Sequence, residues 1–117
     1  MKEFDLQQRT KDFALRIIKL FSSLPKSTEA QVIGKQVLRS GTSVGAQYRE
    51  ACRSRSNSEF ISKVQSSLQE LDETAYWLEL LVDAGLVKPE KLTALRNETD
   101  ELIKIFASSV RTAKSKK

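Results

Sequence analysis

The sequence predicts an all-α protein: an antiparallel, up-down-up-down four-helix bundle in a single domain. Apolar residues recur every three or four positions along most of the 117-residue chain, as they do on one face of a helix. The chain has only four glycines and two prolines, and no segment alternates apolar and polar residues as a half-buried strand does. We expect residues 1–113 to form the bundle and residues 114–117 to form a basic, flexible tail.

The first helix is expected from about Asp5 to Ser23, with Pro25 ending it. Asp5 and Gln8 have the spacing of an N-terminal cap pair. The residues expected on its inner face are Leu6, Phe13, Ile17, Leu20 and Leu24.

The second helix is expected from about Thr28 to Arg55, with capping-box spacing between Thr28 and Gln31. It contains three glycines: Gly34, Gly41 and Gly45. Each costs about 1 kcal/mol relative to alanine inside a helix, so a packing reason is needed. We interpret them as a close crossing with another helix, and the alternative is a helix break at residues 40–43.

The third helix begins at the clearest capping box of the chain, in which Ser56 precedes Glu59 by three residues. Its apolar spacing continues for more than six turns, to Gly85, which fits a C-terminal glycine cap. The fourth helix begins at Pro89, a residue suited to the first helical position. Because the connections are short, neighbouring helices should be antiparallel.

Several classes of chemistry lack the residues they require. The chain has no histidine, which removes histidine-based acid–base catalysis and histidine-ligated zinc. Its single cysteine, Cys52, cannot form an internal disulfide and is interpreted as a packing residue. The acidic cluster of Glu70, Asp72 and Glu73 lies off the core stripe and is interpreted as solvated. We therefore predict no catalytic residues, no metal and no cofactor.

The sequence also predicts where the protein resides. No apolar run approaches the roughly 18 residues that a membrane-spanning helix needs, and the N-terminal residues lack the apolar core of a signal peptide. A lone cysteine suits a reducing compartment. We expect a cytoplasmic protein without membrane contact.

Charge is distributed unevenly along the chain. Residues 1–57 hold 11 Lys and Arg against 5 Asp and Glu, residues 58–87 hold 1 against 6, and residues 88–117 hold 8 against 4. These charges could neutralise one another inside one fold or meet head to tail between subunits. They could also leave a basic surface free for nucleic acid.

Four cations of the second helix share a wedge of about 80° when successive residues are placed 100° apart. They form what we call the basic face: Lys35, Arg39, Arg49 and Arg53. Such clusters neutralise phosphates without reading bases. The alternative is a solvated face, partly paired with Glu50 and with acids on the third helix of a neighbouring subunit. No aromatic residue is interleaved with these cations, so they offer no platform for base stacking.

Two sets of apolar residues fall outside the core stripes of their helices. On the third helix they are Tyr76, Trp77 and Leu80, and on the first helix they are Phe4, Leu15 and Ile18. Exposed apolar surface usually marks an interface, and Trp and Tyr are typical interface anchors. We predict that these residues mediate self-association, and the alternative is that a loop or neighbouring helix covers them.

Three segments carry a family resemblance: Leu38–Ala51 (LRSGTSVGAQYREA), Ser58–Lys63 (SEFISK) and Glu73–Leu81 (ETAYWLELL). In this order they resemble the bacterial family of proteins encoded in intervening sequences of 23S ribosomal RNA genes, also called S23 ribosomal proteins. They are also similar to the accessory variability determinants of diversity-generating retroelements. The resemblance spans roughly residues 10–110. Gln47 departs from it, since the family commonly has Asn there.

The resemblance implies a four-helix bundle without known catalytic residues that often forms a ring-shaped homopentamer. In the retroelement relatives, it implies a basic accessory that binds a reverse transcriptase and nucleic acid. Arg39, Arg49 and Glu50 fall on the family motif, which assigns them no ligand.

We therefore predict a non-enzymatic, oligomeric module that binds RNA, DNA or a nucleic-acid enzyme through a basic surface. The alternative is a protein scaffold whose charges serve solubility and assembly.

Overall fold

The apolar periodicity is realised as four α-helices in the computed structural model, which describes residues 3–116 and the side chains of residues 6–116. The helices are α1 (Glu3–Ser22), α2 (Thr28–Cys52), α3 (Asn57–Asp83) and α4 (Pro89–Lys114). The all-α prediction is confirmed. α4 ends at Lys114, and the flexible tail stays a prediction.

The helix ends show which capping signals were identified correctly. Ser56 caps α3, because its Oγ accepts from Glu59 N at 3.1 Å, as predicted. Gly85 has φ +74 and donates its N–H to Val82 O at 3.0 Å, as expected of a C-terminal glycine cap. The α2 cap is Ser27, one residue before the predicted Thr28, and α2 ends at Cys52, three residues before the predicted Arg55. The predicted Asp5 cap is wrong, since α1 already includes Glu3.

The helices pack in chain order as an antiparallel, up-down bundle. α1 packs on α2, α2 on α3 and α3 on α4, while α1 and α4 approach closely at few positions. α1 and α3 therefore occupy diagonal corners, and the molecule is a rod of 49 × 19 × 19 Å.

The core runs the length of this rod. Its largest fully buried side chains include Phe13, Ile17, Leu71, Leu78, Leu102 and Phe106. Burying a side chain of this kind stabilises the fold by about 1.5–3 kcal/mol. Buried hydroxyls bond within the core, as where Ser40 and Thr74 meet at 2.7 Å. Cys52 is half-buried and packs against the core, in agreement with a packing role.

The glycines of α2 lie where α1 crosses it. A Cβ atom added at Gly41 would lie 2.7 Å from Ile17 Cγ1, and one added at Gly45 would lie 3.0 Å from Thr10 Oγ1. α2 continues without interruption through residues 40–43. The predicted close crossing is therefore confirmed, and the alternative of a helix break is wrong.

One arginine joins α1 to α4 at the surface of the bundle. Arg9 donates from Nε and Nη2 to the two carboxylate oxygens of Glu98 at 2.8 and 2.9 Å, and also contacts Glu101. The hydrogen bond to Glu98 raises the pKa of Arg9 above its usual value. We call this group, Arg9 with Glu98 and Glu101, the Arg9 clasp.

Candidate nucleic-acid interface

The basic face lies on the side of α2 opposite its buried residues. α2 buries one continuous side, which contacts α1 through its glycines and α3 through residues such as Ser40 and Val44. All four cations of the basic face are exposed. Helical geometry holds Lys35, Arg39 and Arg49 on one rigid surface, and Arg53 is the C-terminal cap that directly follows the last residue of α2. Lys35 and Arg53 are 18 positions apart, which corresponds to about 27 Å at 1.5 Å per residue.

Arg39 is already paired inside its own chain. Its Nη1 lies 3.2 Å from Glu70 Oε1, and its Nη2 lies 2.6 Å from Glu73 Oε1. The Glu70 side chain is only 15% exposed, so its interpretation as a solvated residue is wrong. Arg39 covers it from α2, and Gln47 Nε2 approaches its other oxygen at 3.4 Å. Arg39 consequently offers a phosphate less charge than its position on the helix suggests.

The other three cations remain available. Lys35, Arg49 and Arg53 form no ion pair within 4 Å in the part of the chain whose side chains are described. Glu50 lies beside them in sequence, but its Oε1 is bonded to Lys63 Nζ at 2.8 Å. That hydrogen bond is the main reason why the pKa of Glu50 is lowered, and the charge of Arg53 contributes less.

The structure adds one cation that the sequence analysis did not select. Lys11 of α1 lines a shallow cleft of about 370 Å³ together with Arg49 of α2. The glycines of α2 indicated a close crossing without saying which helix is crossed. The sequence therefore carried no signal that Lys11 and Arg49 share a cleft.

The residues predicted to mediate self-association differ in how far they are exposed to solvent. Tyr76, Leu15 and Ile18 are 52%, 53% and 45% exposed, as expected of an interface. Leu80 is half-buried. Trp77 is half-buried against the core, and its Nε1 is buried without a hydrogen-bond partner. The side chain of Phe4 lies outside the described residues.

Trp77 and Tyr76 nevertheless form one aromatic unit. Their ring centroids are 5.1 Å apart at an interplanar angle of 61°, an edge-on contact. Trp77 thus packs against both the core and the exposed Tyr76 ring, which makes Tyr76 the more direct candidate for contact with a partner.

Other features of the surface bear on function less directly. A larger groove of about 700 Å³ lies between the start of α3 and the end of α4, and includes Phe60 and Ile105. It contains none of the predicted site residues. Among residues 6–116, no cluster of three or more Cys, Asp or Glu side chains could hold a metal ion. No helix in the described part of the chain is long and apolar enough to cross a membrane.

Comparisons with known proteins agree on one family. The family model of the 23S rRNA-intervening sequence protein matches residues 2–108. A crystal structure of a protein with unknown function from the S23 ribosomal protein family, from Bacteroides thetaiotaomicron VPI-5482, superposes with a TM-score of 0.88 at 37% identity. That alignment covers 95% of this chain and 99% of the other.

No curated protein matches the chain. The family match spans nearly all of the four helices, and the solved relative has the same fold over nearly its whole length. This chain therefore belongs to the 23S rRNA-intervening sequence protein family.

Proposed function

We propose that this protein is a non-enzymatic assembly module that holds nucleic acid by its phosphates at the basic face. The observation that carries the proposal is the exposure of Lys35, Arg49 and Arg53 without an ion-pair partner among the described side chains. Cations that are not neutralised by their own protein can release counterions from a phosphate backbone, which provides sequence-independent affinity. The net charge of +5 favours the same class of ligand.

The test is a binding titration of RNA and duplex DNA at several salt concentrations. For duplex DNA, three phosphate contacts per protein chain give a slope of log K against log salt of up to about −2.7, from roughly 0.9 per phosphate. A variant with Lys35→Glu and Arg53→Glu should lose binding. Arg39 is avoided because removing it would also leave the Glu70 carboxylate without its arginine partner.

A matched control carries the same change of charge elsewhere. Lys91→Glu with Arg111→Glu alters two exposed cations of α4, and it should reduce affinity much less than the α2 variant. Equal losses in both variants would show that net charge alone governs binding, and the basic face would then have no special role.

We propose further that copies of the chain associate head to tail, joining the exposed α1 residues of one copy to α3 of the next. Leu15 and Ile18 lie on α1, and Tyr76 lies on α3 at the diagonal corner of the bundle. Two different surfaces on opposite sides of a subunit produce a ring or a filament rather than a simple dimer. The charges also fit, since residues 58–87 are acidic and residues 1–57 are basic. The pentameric number is implied by the resemblance alone.

Light scattering coupled to size exclusion tests the association. The mass should be several times 13.2 kDa, and Tyr76→Asp or Leu15→Asp should reduce it. Ala94→Asp, at an exposed α4 position, is the control and should leave the mass unchanged. A wild-type monomer at tens of micromolar would reject the assembly proposal.

The two measurements together distinguish the proposed function from the alternative of a protein scaffold. Assembly without nucleic-acid binding would identify a protein scaffold. A reverse transcriptase as the protein partner is implied by the resemblance, and is part of the proposal only in that sense.

A further inference from the structure

The cleft between α1 and α2 combines cations from two helices with a floor of small residues. Lys11 and Arg49 line it, and the rest of its lining is Thr10, Ala14, Thr42, Gly45 and Ala46. No carboxylate is among these residues. Within the part of the chain whose side chains are described, the lining of the cleft therefore offers positive charge to an anion and no carboxylate that would repel it.

The hydroxyl groups of the cleft are already engaged. Thr10 Oγ1 donates to Leu6 O at 2.7 Å, and Thr42 Oγ1 donates to Leu38 O at 2.7 Å. Each hydroxyl has a single proton to donate. The remaining side-chain donors are therefore the ammonium of Lys11 and the guanidinium of Arg49, which strongly favours a charged acceptor over a neutral one.

The two helices that carry these cations are held close together beneath the cleft. Gly45 approaches Thr10 so closely that an added Cβ atom would lie 3.0 Å from its Oγ1. Neither helix can slide or separate here without losing that contact. A ligand that bridges Lys11 and Arg49 therefore meets a cleft whose floor is fixed before binding.

We propose that this cleft binds a single phosphodiester group of the bound nucleic acid, with Lys11 contacting the phosphate from one side and Arg49 from the other. We call this binding site the seat. The proposal rests on the proposed function and deepens it, because it adds a residue of α1 and a defined contact to the basic face. The phosphate enters between the helices, where the small side chains of Ala14 and Ala46 leave room. Lys35, 14 residues from Arg49 along α2, contacts a different phosphate about 21 Å away along the helix.

The first experiment is a double-mutant cycle on nucleic-acid affinity with Lys11→Gln and Arg49→Gln. Each single variant should weaken binding about tenfold, as expected for losing one charge-assisted hydrogen bond. Because both side chains contact one phosphate, the affinity of the double variant should fall by clearly less than the hundredfold product of the two single losses. Losses that multiply would show two independent phosphate contacts and overturn the shared seat.

The second experiment fills the cleft without changing any charge. Ala46→Leu places a larger side chain at an exposed position of the cleft lining and should weaken binding about tenfold, like loss of either cation. Ala94→Leu on exposed α4 is the matched control and should leave affinity unchanged. Thermal unfolding of both variants verifies that the fold is intact. Unaltered binding by a folded Ala46→Leu protein would reject the seat.

A competition experiment identifies the recognised group. Inorganic phosphate should displace nucleic acid more effectively than chloride at equal ionic strength, and this excess should disappear in Arg49→Gln. Equal displacement by both anions would indicate diffuse attraction to the surface and would overturn the seat.

These outcomes are distinct from failure of the proposed function. If Lys35→Glu with Arg53→Glu abolishes binding while Lys11→Gln and Ala46→Leu bind normally, the basic face is correct and the seat is wrong. If the wild-type protein binds neither RNA nor DNA at low salt, both proposals fail.

Discussion

The two edges of α1 are built from different kinds of contact. Against α2, three glycines remove side chains so that backbones and buried side chains meet directly. Against α4, few residues approach, and the Arg9 clasp makes the connection. The first edge depends on shape and tolerates little added volume, whereas the second depends on charge and should respond to salt. The two edges of one helix therefore differ in spacing, because the backbones lie close together against α2 and farther apart against α4, where the long Arg9 side chain reaches Glu98.

The largest effect should come from adding volume at the glycine edge. Gly41→Ala should lower the free energy of unfolding by up to about 2 kcal/mol, because the new methyl group meets the fully buried Ile17 at a cost of about 1–3 kcal/mol and alanine recovers only about 1 kcal/mol in the helix. Gly34→Ala should change it by less than about 1 kcal/mol. There the nearest atom is the terminal methyl Cδ1 of Leu24, which can move, and alanine favours the helix by about 1 kcal/mol.

Urea denaturation of the two variants gives this comparison. The added Cβ at Gly34 would be nearer to its neighbour, at 2.5 Å, than the one at Gly41, at 2.7 Å. A larger loss at Gly34 would therefore mean that distance alone, and not the rigidity of the neighbouring side chain, sets the cost.

A smaller and more local effect is expected at the α4 edge. Arg9→Gln should lower the free energy of unfolding by about 1–3 kcal/mol, toward the lower end because the Arg9 side chain is 33% exposed. The variant leaves the Glu98 carboxylate, 19% exposed, without its arginine partner. Hydrogen exchange should accelerate in α1 while α2 and α3 keep their protection.

Glu101→Gln is the internal control. The Glu101 side chain is 62% exposed, so replacing it should lower the free energy of unfolding less than replacing Glu98 would. Uniformly faster exchange in all four helices would contradict a local role for the Arg9 clasp and would instead link α1 to the cooperative core.

The smallest effect concerns the surface pair on the well-packed α2–α3 edge. The hydrogen bond from Lys63 lowers the pKa of Glu50, and the same bond raises the pKa of Lys63. Since the carboxyl pKa is lower in the folded state, the stabilisation exists above the unfolded pKa of Glu50 and is lost as the pH falls through its folded pKa.

An NMR titration of the Glu50 carboxyl group measures this directly. Its midpoint should lie below the ordinary glutamate value in the wild-type protein and should rise in Lys63→Gln. An unchanged midpoint would assign the shift to another neighbour, and Arg53 is the first candidate.

The sequence located most elements because each left a local signal. The cap of α3 at Ser56 and the glycine at its end were identified from spacing alone, since these residues satisfy backbone groups within a few positions of themselves. The start of α1 was placed two residues late, because a carboxylate with the spacing of a cap also suits the first turn of a helix. The close crossing at the glycines was recognisable because a glycine inside a helix lowers stability, and a packing contact is needed to compensate for that loss.

Only part of the candidate nucleic-acid interface could be predicted from the sequence. The 3.6-residue repeat of a helix was sufficient to group the cations of α2 on one side, since it depends on that helix alone. It could not show that Glu70 and Glu73 neutralise Arg39, because the pair joins residues more than 30 positions apart.

The sequence by itself determined four amphipathic helices, their order, and which face of each is apolar, because these properties repeat within a few residues. The tertiary structure decided which charges remain available. It paired Arg39 with α3, placed Lys11 beside Arg49, and turned Trp77 partly into the core while leaving Tyr76 exposed. The physical reason is that charge neutralisation and burial depend on side chains from different helices, and their mutual distances are set only when the helices pack.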